Sequence, residues 1–354
     1  MSLFTPLKIG DLELSNRVIM APLTRCRASV GRVPNALMAN YYAQRASAGL
    51  ILSEATSVTP MGVGYPDTPG IWSETQVVGW KLVTKAVHDA GGLIFCQLWH
   101  VGRISDPEFL DGQLPVAPSA IQPKGHVSLL RPMRDYVTPR ALETHEVPDI
   151  IEAYRKGAEN AKLAGFDGVE IHSANGYLLD QFLQDGTNKR TDIYGGSIEN
   201  RARLLLEVVD AAISVWGKNR VGVHLAPRGD SHDMSDSNPL ATFSYVASEL
   251  GQRGIAFICA RERLGDGRIG PALKAAFGGV YIANEGLTLE SADEVVAAGE
   301  ADAVAFGKDF ISNPDLPHRL QHHLPLTPYD ASSFYGYGAD DLTKGYTDYP
   351  TAPK

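Results

Sequence analysis

The feature that most restricts the fold of this chain is a recurrence of short apolar runs, most of them followed by a helix-like segment. Runs that are apolar on both faces are typical of parallel strands covered by helices. Eight of them alternating with helices predict an α/β fold, a (β/α)8 TIM barrel, formed by one domain over residues 1–354. The runs are residues 18–20, 50–53, 93–98, 168–171, 221–225, 256–259, 280–282 and 303–306.

Two segments depart from this alternation. The stretch "PLKIGDLELSNRV" predicts an N-terminal β-hairpin that turns at Gly10-Asp11. Between the third and fourth runs lies a long excursion, residues 101–146, which is rich in Pro and Gly and has no clear periodicity. Loops of that length are usually functional or form a lid. An open doubly wound sheet is the rival fold, but it would need a G-x-G-x-x-G turn after an early strand, and no such turn follows the early runs.

Composition restricts the classes of partner. A formal net charge of −9 argues against nucleic acid and anionic membranes as main partners. The cysteines, Cys26, Cys96 and Cys259, form no CxxC pair, which excludes a zinc ribbon and fits a reducing compartment. The N-terminus lacks the pattern of a signal peptide, and no apolar run has membrane-spanning length. We expect a cytoplasmic protein that acts on small molecules.

Polar side chains follow several of the predicted strands. In a barrel of this type, chemistry collects at the C-terminal ends of the strands. Each residue alone has a structural interpretation, such as a helix cap, a satisfied buried amide or a turn. Together, and facing Gly-bearing loops after strands seven and eight where barrels commonly bind phosphate, they suggest a planar phosphorylated cofactor. The residues concerned are Thr24, Gln97, His172, Asn175, His224, Asn284, Gly286 and Gly307.

Long motifs then add a resemblance to a known family. They are "NRVIMAPLTR" (16–25), "YYAQRASAGLILSEAT" (41–56), "QLWHVGR" (97–103), "GFDGVEIHSANGYLLDQFL" (165–183), "TNKRTDIYGGSIENRARLLLEV" (187–208), "DAVAFGKDFISNPDLP" (302–317) and "GYTDYP" (345–350). Over nearly its whole length the sequence resembles the Old Yellow Enzyme family of FMN-dependent ene-reductases, in particular the N-ethylmaleimide reductase and xenobiotic reductase type.

The resemblance implies an NAD(P)H-dependent flavoprotein that reduces activated C=C bonds, as in enones and maleimides, and also nitro or nitrate ester compounds. FMN would be the cofactor and NADPH or NADH the reductant, with no metal. His172 and Asn175 would hold the substrate oxygen, and Tyr177 would donate a proton. Tyr65, Trp99 and Tyr335 would shape the substrate pocket. The implied FMN contacts are Pro22, Leu23, Thr24, Ala55, Gln97, His172, His224, Asn284, Glu285, Gly307 and Lys308.

At two of these positions the chain departs from the family pattern. His224 stands where an arginine usually lies beside flavin N1, and Lys308 stands where an arginine usually grips the phosphate. A lysine supplies charge without the fork geometry of a guanidinium. An isolated histidine has a pKa of about 6.5, so its charge would change across neutral pH. Arg228, close to the same strand end, is the one residue that could compensate and so remove the effect of His224.

Three other interpretations have distinct requirements. A relative of 2,4-dienoyl-CoA or trimethylamine dehydrogenase would need iron–sulfur cysteines and further domains, which this chain lacks. A metal-dependent barrel hydrolase would need several His and Asp ligands at strand ends, where only His172 and His224 qualify. A barrel that binds flavin without ene-reductase turnover is the third, and the set of His172, Asn175 and Tyr177 argues against it.

Overall fold

The computed structural model describes residues 2–353 and contains a closed barrel of eight parallel strands. The last strand pairs with the first, the first with the second and the second with the third, so the eight strands form a closed ring. A further two-residue strand, Thr56–Ser57, pairs with the end of the third. The predicted (β/α)8 fold is therefore confirmed. The strands are β1 Val18–Met20, β2 Leu50–Leu52, β3 Ile94–Trp99, β4 Gly168–Ser173, β5 Val221–Leu225, β6 Phe257–Arg261, β7 Val280–Asn284 and β8 Ala303–Phe306.

Several strands extend beyond the apolar runs that predicted them. β6 ends at Arg261 rather than Cys259, and β7 ends at Asn284 rather than Ile282; Arg261 and Asn284 still pair in register. Pairing is made by backbone groups, so a ladder continues past the point where side chains become polar. As a result, polar side chains stand on the strand ends themselves.

Helices follow the strands in alternation. The second helix begins with a capping box, in which the side chains of Ser73 and Gln76 each accept a hydrogen bond from the backbone N–H of the other residue. The helices are α1 Ala36–Ala43, α2 Glu74–Asp89, α3 Val147–Leu163, α4 Leu178–Leu183, α5 Ile198–Trp216, α6 Pro239–Arg253, α7 Gly270–Phe277, α8 Leu289–Ala297, α9 Lys308–Ser312 and α10 Leu316–Gln321. None of the helices in residues 2–353 combines the length and the apolar character needed to cross a membrane.

Successive side chains along the strands point alternately into two hydrophobic cores. One core lies between the barrel and its helices. The other fills the barrel, where the rings of Phe95 and Phe257 lie 5.8 Å apart between centroids. Room for these rings comes from Gly168 and Gly222, since a Cβ at either position would lie within 2.3 Å of a ring carbon. The barrel interior is thus a packed layer and not a channel.

The predicted hairpin closes the N-terminal end of the barrel. Its strands, Leu7–Ile9 and Leu12–Leu14, pair antiparallel and place Ile9 and Leu14 in the barrel core. At the turn, Gly10 has a φ of +58° and approaches the backbone of Asn219 so closely that a Cβ would clash. The opposite, C-terminal end of the barrel remains open.

The long excursion after β3 packs over that open end. It contains a two-stranded parallel pair, Val116–Ala117 with Arg140–Ala141, and two short 3-10 helices, Pro107–Phe109 and Thr144–Glu146. Its Val127, Leu130 and Tyr136 are buried in one cluster with Trp99 and Tyr177. The excursion therefore forms a wall of the region where the strands end.

Buried arginines hold the C-terminal segment over the same end. Arg25 donates to the carbonyls of Phe334 and Gly345, both at 2.8 Å. Its guanidinium also lies 5.0 Å from the ring of Tyr346, which stacks at 4.1 Å on Tyr41. These contacts fix residues 334–346 against the strand ends.

The glycine–phenylalanine packing generates a stability prediction. In Gly222→Ala the new methyl would lie 2.2 Å from Cζ of Phe257, so we expect unfolding free energy to fall by about 1–3 kcal/mol. Chemical denaturation of the variant and of Gly222→Ala/Phe257→Leu would measure this. The smaller side chain should recover part of the loss, and strictly additive losses would contradict the packing explanation.

Candidate functional site

A cavity of about 960 Å³ lies at the C-terminal ends of the strands. All eight strands, or the loops that directly follow them, contribute to its lining, as does the C-terminal segment. Fifteen of the sixteen residues expected to hold a cofactor or substrate line it: Pro22, Leu23, Thr24, Ala55, Gln97, Trp99, His172, Asn175, Tyr177, His224, Asn284, Glu285, Gly307, Lys308 and Tyr335. Tyr65 does not, and it lies behind Tyr177.

The floor of the cavity is built around a buried carboxylate that the sequence analysis did not single out. Glu170, on β4, accepts a hydrogen bond from Nε2 of Gln97 at 2.8 Å, and its other oxygen lies 3.2 Å from Nδ1 of His224. Cys259 is adjacent to His224 across the β5–β6 ladder. The ligand atoms of Glu170, His224 and Cys259 lie within 4.8 Å of one another, a spacing that could suit a metal ion. Because both carboxylate oxygens already have partners, we interpret the group as a hydrogen-bonded network.

This network changes the expected charge of His224. Burial lowers the pKa of its imidazole, but Cys259 and Glu170 raise it, by charge and hydrogen bonding, to about 10. Burial raises the pKa of the Cys259 thiol, so this group is uncharged at neutral pH. We therefore attribute the raised pKa of His224 to the Glu170 carboxylate. His224 is therefore a cation at neutral pH. The titration across neutrality expected of an isolated histidine does not apply here.

Aromatic rings form one wall. Trp99 lies 5.0 Å from Tyr177 and 6.3 Å from His172 between ring centroids, and Tyr177 meets His172 edge-on at 5.0 Å. Burial, followed by the charges of His224 and Arg261, lowers the pKa of His172 well below its usual value, so this ring is neutral. Its Nδ1 is buried and has no hydrogen-bond partner among residues 2–353. A neutral imidazole so placed can present one N–H donor to a ligand.

Tyr177 is joined to a second phenol. Its hydroxyl lies 2.8 Å from that of Tyr65, which stacks on Trp99 at 5.5 Å. Burial raises the pKa of both phenols, so both carry their protons at neutral pH. Tyr65 therefore acts on the cavity through Tyr177 and Trp99 and not through direct contact.

Asn175 is held by an arginine that was also not predicted. It has a φ of +57°, and its Oδ1 accepts a hydrogen bond from Nη1 of Arg261 at 2.8 Å. The second terminal nitrogen of Arg261 donates to Glu285 at 3.0 Å. Since a guanidinium can only donate, the amide oxygen of Asn175 must face Arg261. The amide NH2 group of Asn175 is then left for the cavity.

The other end of the cavity carries a lysine and backbone donors. Lys308 begins α9, so its backbone N–H has no partner within that helix. Its ammonium lies 5.6 Å from the centre of the Tyr329 ring. Gly307 and Asn284 flank it, and the side chain of Asn284 donates to the carbonyl of Ala305 at 2.8 Å. This end can accept an anion.

Arg228, the arginine that could compensate for His224 on β5, does not reach the cavity. Arg228 pairs with Glu262 at 2.6 Å and donates to the carbonyls of Asp266 and Arg263. The guanidinium that does line the cavity beside β5 is that of Arg261, from β6. Arg261 is the last residue of β6, so its position at a C-terminal strand end is the sequence signal that marks it as a site residue.

Known proteins are similar to this chain over nearly its whole length. The model of a protein family described as "NADH:flavin oxidoreductase / NADH oxidase family" matches residues 2–327. The 12-oxophytodienoate reductase 1 of Oryza sativa subsp. japonica is 45% identical over 361 residues, which cover 98% of this chain and 92% of that protein.

Solved structures are also similar. The old yellow enzyme homologue from Zymomonas mobilis superposes with a TM-score of 0.95 at 46% identity, covering 99% of each chain. Morphinone reductase in complex with tetrahydroNAD has a TM-score of 0.95 at 49% identity, covering 100% of this chain and 98% of that one.

The Glu170–His224 pair generates a pH prediction. Because the folded-state pKa is raised, the stabilisation from this pair is complete below the unfolded-state pKa of about 6.5 and is lost as pH rises through the higher pKa of the folded state. In ¹⁵N-histidine NMR of the purified protein, His224 should keep both ring protons through pH 8. In Glu170→Gln the carboxylate charge is gone, and the pKa of His224 should fall. A wild-type ring that loses its proton near neutrality would contradict the assignment.

Proposed function

Because the chain belongs to the NADH:flavin oxidoreductase / NADH oxidase family, that is, the Old Yellow Enzyme family, we propose that it is an ene-reductase that reduces activated C=C bonds. Membership makes it an FMN-dependent NAD(P)H oxidoreductase. The proposal concerns the acceptor: enones and maleimides, together with nitro or nitrate ester compounds. The observation that carries it is the meeting of His172, Asn175 and Tyr177 on one cavity.

The cavity fits FMN in its donors and acceptors. Gln97 uses its Nε2 on Glu170, which leaves its carbonyl oxygen to accept from an imide N–H of the flavin. Pro22, Leu23, Thr24 and Ala55 would contact the ring system. Lys308 and the backbone at Gly307, with Asn284 and Glu285 beside them, would hold a single phosphate. When bound, FMN carries two electrons from NADPH or NADH to the acceptor.

His172 and Asn175 would hold the oxygen of the acceptor's carbonyl or nitro group. Negative charge develops on that oxygen as the alkene is reduced, and preorganised donors stabilise it in a dry site. The neutral imidazole and the amide NH2 of Asn175 are two such donors. Removing one donor of this kind typically costs about 3–4 kcal/mol of transition-state stabilisation.

Tyr177 would then protonate the α-carbon as a general acid. Its raised pKa means that the phenol holds its proton until carbanion character develops at the acceptor, and Tyr65 can donate a hydrogen bond to the phenolate left behind. Trp99 and Tyr335 would shape the pocket around the substrate, and Tyr65 would do so through Tyr177.

At the two positions that depart from the family pattern, His224 and Lys308 would still supply a positive charge. His224, protonated by its pairing with Glu170, would place a cation where the family usually has an arginine. Lys308 would meet the phosphate as a point charge, without a bidentate fork. We therefore propose that the flavin site retains its cationic character.

A spectrum of the purified protein would test the proposal most directly. We expect a yellow protein that releases FMN on heating and is bleached by NADPH or NADH without oxygen. Adding 2-cyclohexenone should then restore the yellow colour, because the enone takes up the two electrons. A protein that bleaches but is not reoxidised by enones or maleimides would refute the ene-reductase proposal. One that NAD(P)H does not bleach would point to a barrel that only binds flavin.

Replacement of Tyr177 would separate its role from packing. Tyr177→Phe keeps the ring against Trp99 and His172 but removes the acidic proton, so alkene reduction should slow by about 10²-fold or more. Bleaching by NADPH should stay near the wild-type rate, as should nitro reduction, which requires no proton on carbon. Stopped-flow measurement of the three rates checks this. Equal slowing of all three would assign Tyr177 a structural role.

A further inference from the structure

Arg261 connects three strand ends at the mouth of the cavity. Its Nη1 donates to Oδ1 of Asn175, from the loop after β4, at 2.8 Å, and its Nη2 donates to Glu285, after β7, at 3.0 Å. The β4 and β6 strands are not neighbours, because β5 lies between them. Arg261 thus reaches across the end of β5 to hold an amide on the far side.

This contact decides which way the amide of Asn175 points. An amide has a donor end and an acceptor end of nearly the same shape, and the two orientations exchange by a half-turn. With its oxygen toward the cavity, Asn175 would repel an oxyanion; with its NH2 toward the cavity, it would bind one. The charge-assisted bond to Arg261 stabilises the second orientation, since a guanidinium has no acceptor to offer the NH2.

The backbone of Asn175 is held as well. Its carbonyl oxygen lies 2.6 Å from Nδ1 of His232, so that nitrogen carries a proton and donates it. Asn175 also adopts the left-handed region, with a φ of +57°. With the backbone fixed from one side, rotation of the side-chain amide is the remaining freedom, and Arg261 removes it.

We propose that Arg261 is a positioning residue, which sets the affinity of this enzyme for anionic and electron-withdrawing oxygen groups by locking the amide of Asn175 with its donor end toward the cavity. The inference rests on the proposed function, in which Asn175 holds the acceptor's oxygen. Glu285 supports it by holding the second terminal nitrogen of the guanidinium, at 3.0 Å.

Binding of 4-chlorophenol to the holoenzyme provides a measurement other than turnover. A phenolate presents one anionic oxygen to His172 and Asn175, and stacked on oxidised flavin it should give a long-wavelength charge-transfer band. We expect Arg261→Gln to weaken phenol affinity by about tenfold, and Arg261→Lys, which keeps a charged donor, by less. FMN content and the flavin spectrum should not change in either variant.

Arg228→Gln is the matched control. Arg228 is also an arginine near a strand end, paired with a glutamate, and its side chain is 31% exposed against 35% for Arg261. It does not line the cavity. Phenol affinity in this variant should stay within about twofold of wild type, since no amide at the cavity depends on it.

The double variant distinguishes positioning from a direct effect of charge. If Arg261 acts through Asn175, Arg261→Gln should change phenol affinity by less than about twofold in an Asn175→Ala background. A full tenfold loss there would show a direct charge effect and overturn the inference, as would wild-type affinity in Arg261→Gln alone. A wild-type holoenzyme without any charge-transfer band would overturn the oxygen-holding role in the proposed function, and this inference with it.

Discussion

The candidate site depends on one buried carboxylate. Glu170 is wholly buried, and removing an ion from water costs several kcal/mol unless partners offset it. Here the partners are Gln97 on β3 and His224 on β5, so the carboxylate ties the two strands that flank its own. It also sets two states at the cavity floor: the orientation of the Gln97 amide and the charge of His224. A change at Glu170 would therefore alter the whole floor and not a single contact.

A second constraint acts through the C-terminal segment of the chain. Arg25 and Arg45 are fully buried, and between them they donate to backbone carbonyls of the C-terminal half of the chain, at Phe310, Ile311, Phe334 and Gly345. The Arg45 guanidinium lies 3.8 Å from the centre of the Tyr41 ring. Several residues in the motifs "NRVIMAPLTR", "YYAQRASAGLILSEAT" and "GYTDYP" thus have a role other than chemistry. They bring Phe334 and Tyr335 to the cavity, which the barrel alone could not do.

Sequence alone predicted the barrel because its strands have a simple physical signature. The runs at Val18–Met20, Val221–Leu225 and Ala303–Phe306 coincide with strands of the structure at both ends. Runs that are mostly apolar on both faces are typical of strands that are buried on both faces. Most of the candidate site was predicted by reading the residues at the strand ends and by resemblance. Glu170 was missed because it lies inside an apolar run, where a lone carboxylate gives no signal until its partners on other strands are known.

Arg261 illustrates a different limit. Its position at the end of β6 can be read from the sequence, but the contact with Asn175 spans the end of an intervening strand and joins residues 86 positions apart. No spacing or periodicity encodes such a pair. The same holds for the charge of His224: the sequence predicts a group that titrates near neutrality, and only the placement of Glu170 within hydrogen-bonding distance makes it a cation. At the cavity floor a histidine is kept protonated by a buried carboxylate. In our proposal an arginine from β6 orients the amide donor of Asn175 at the mouth of the same cavity.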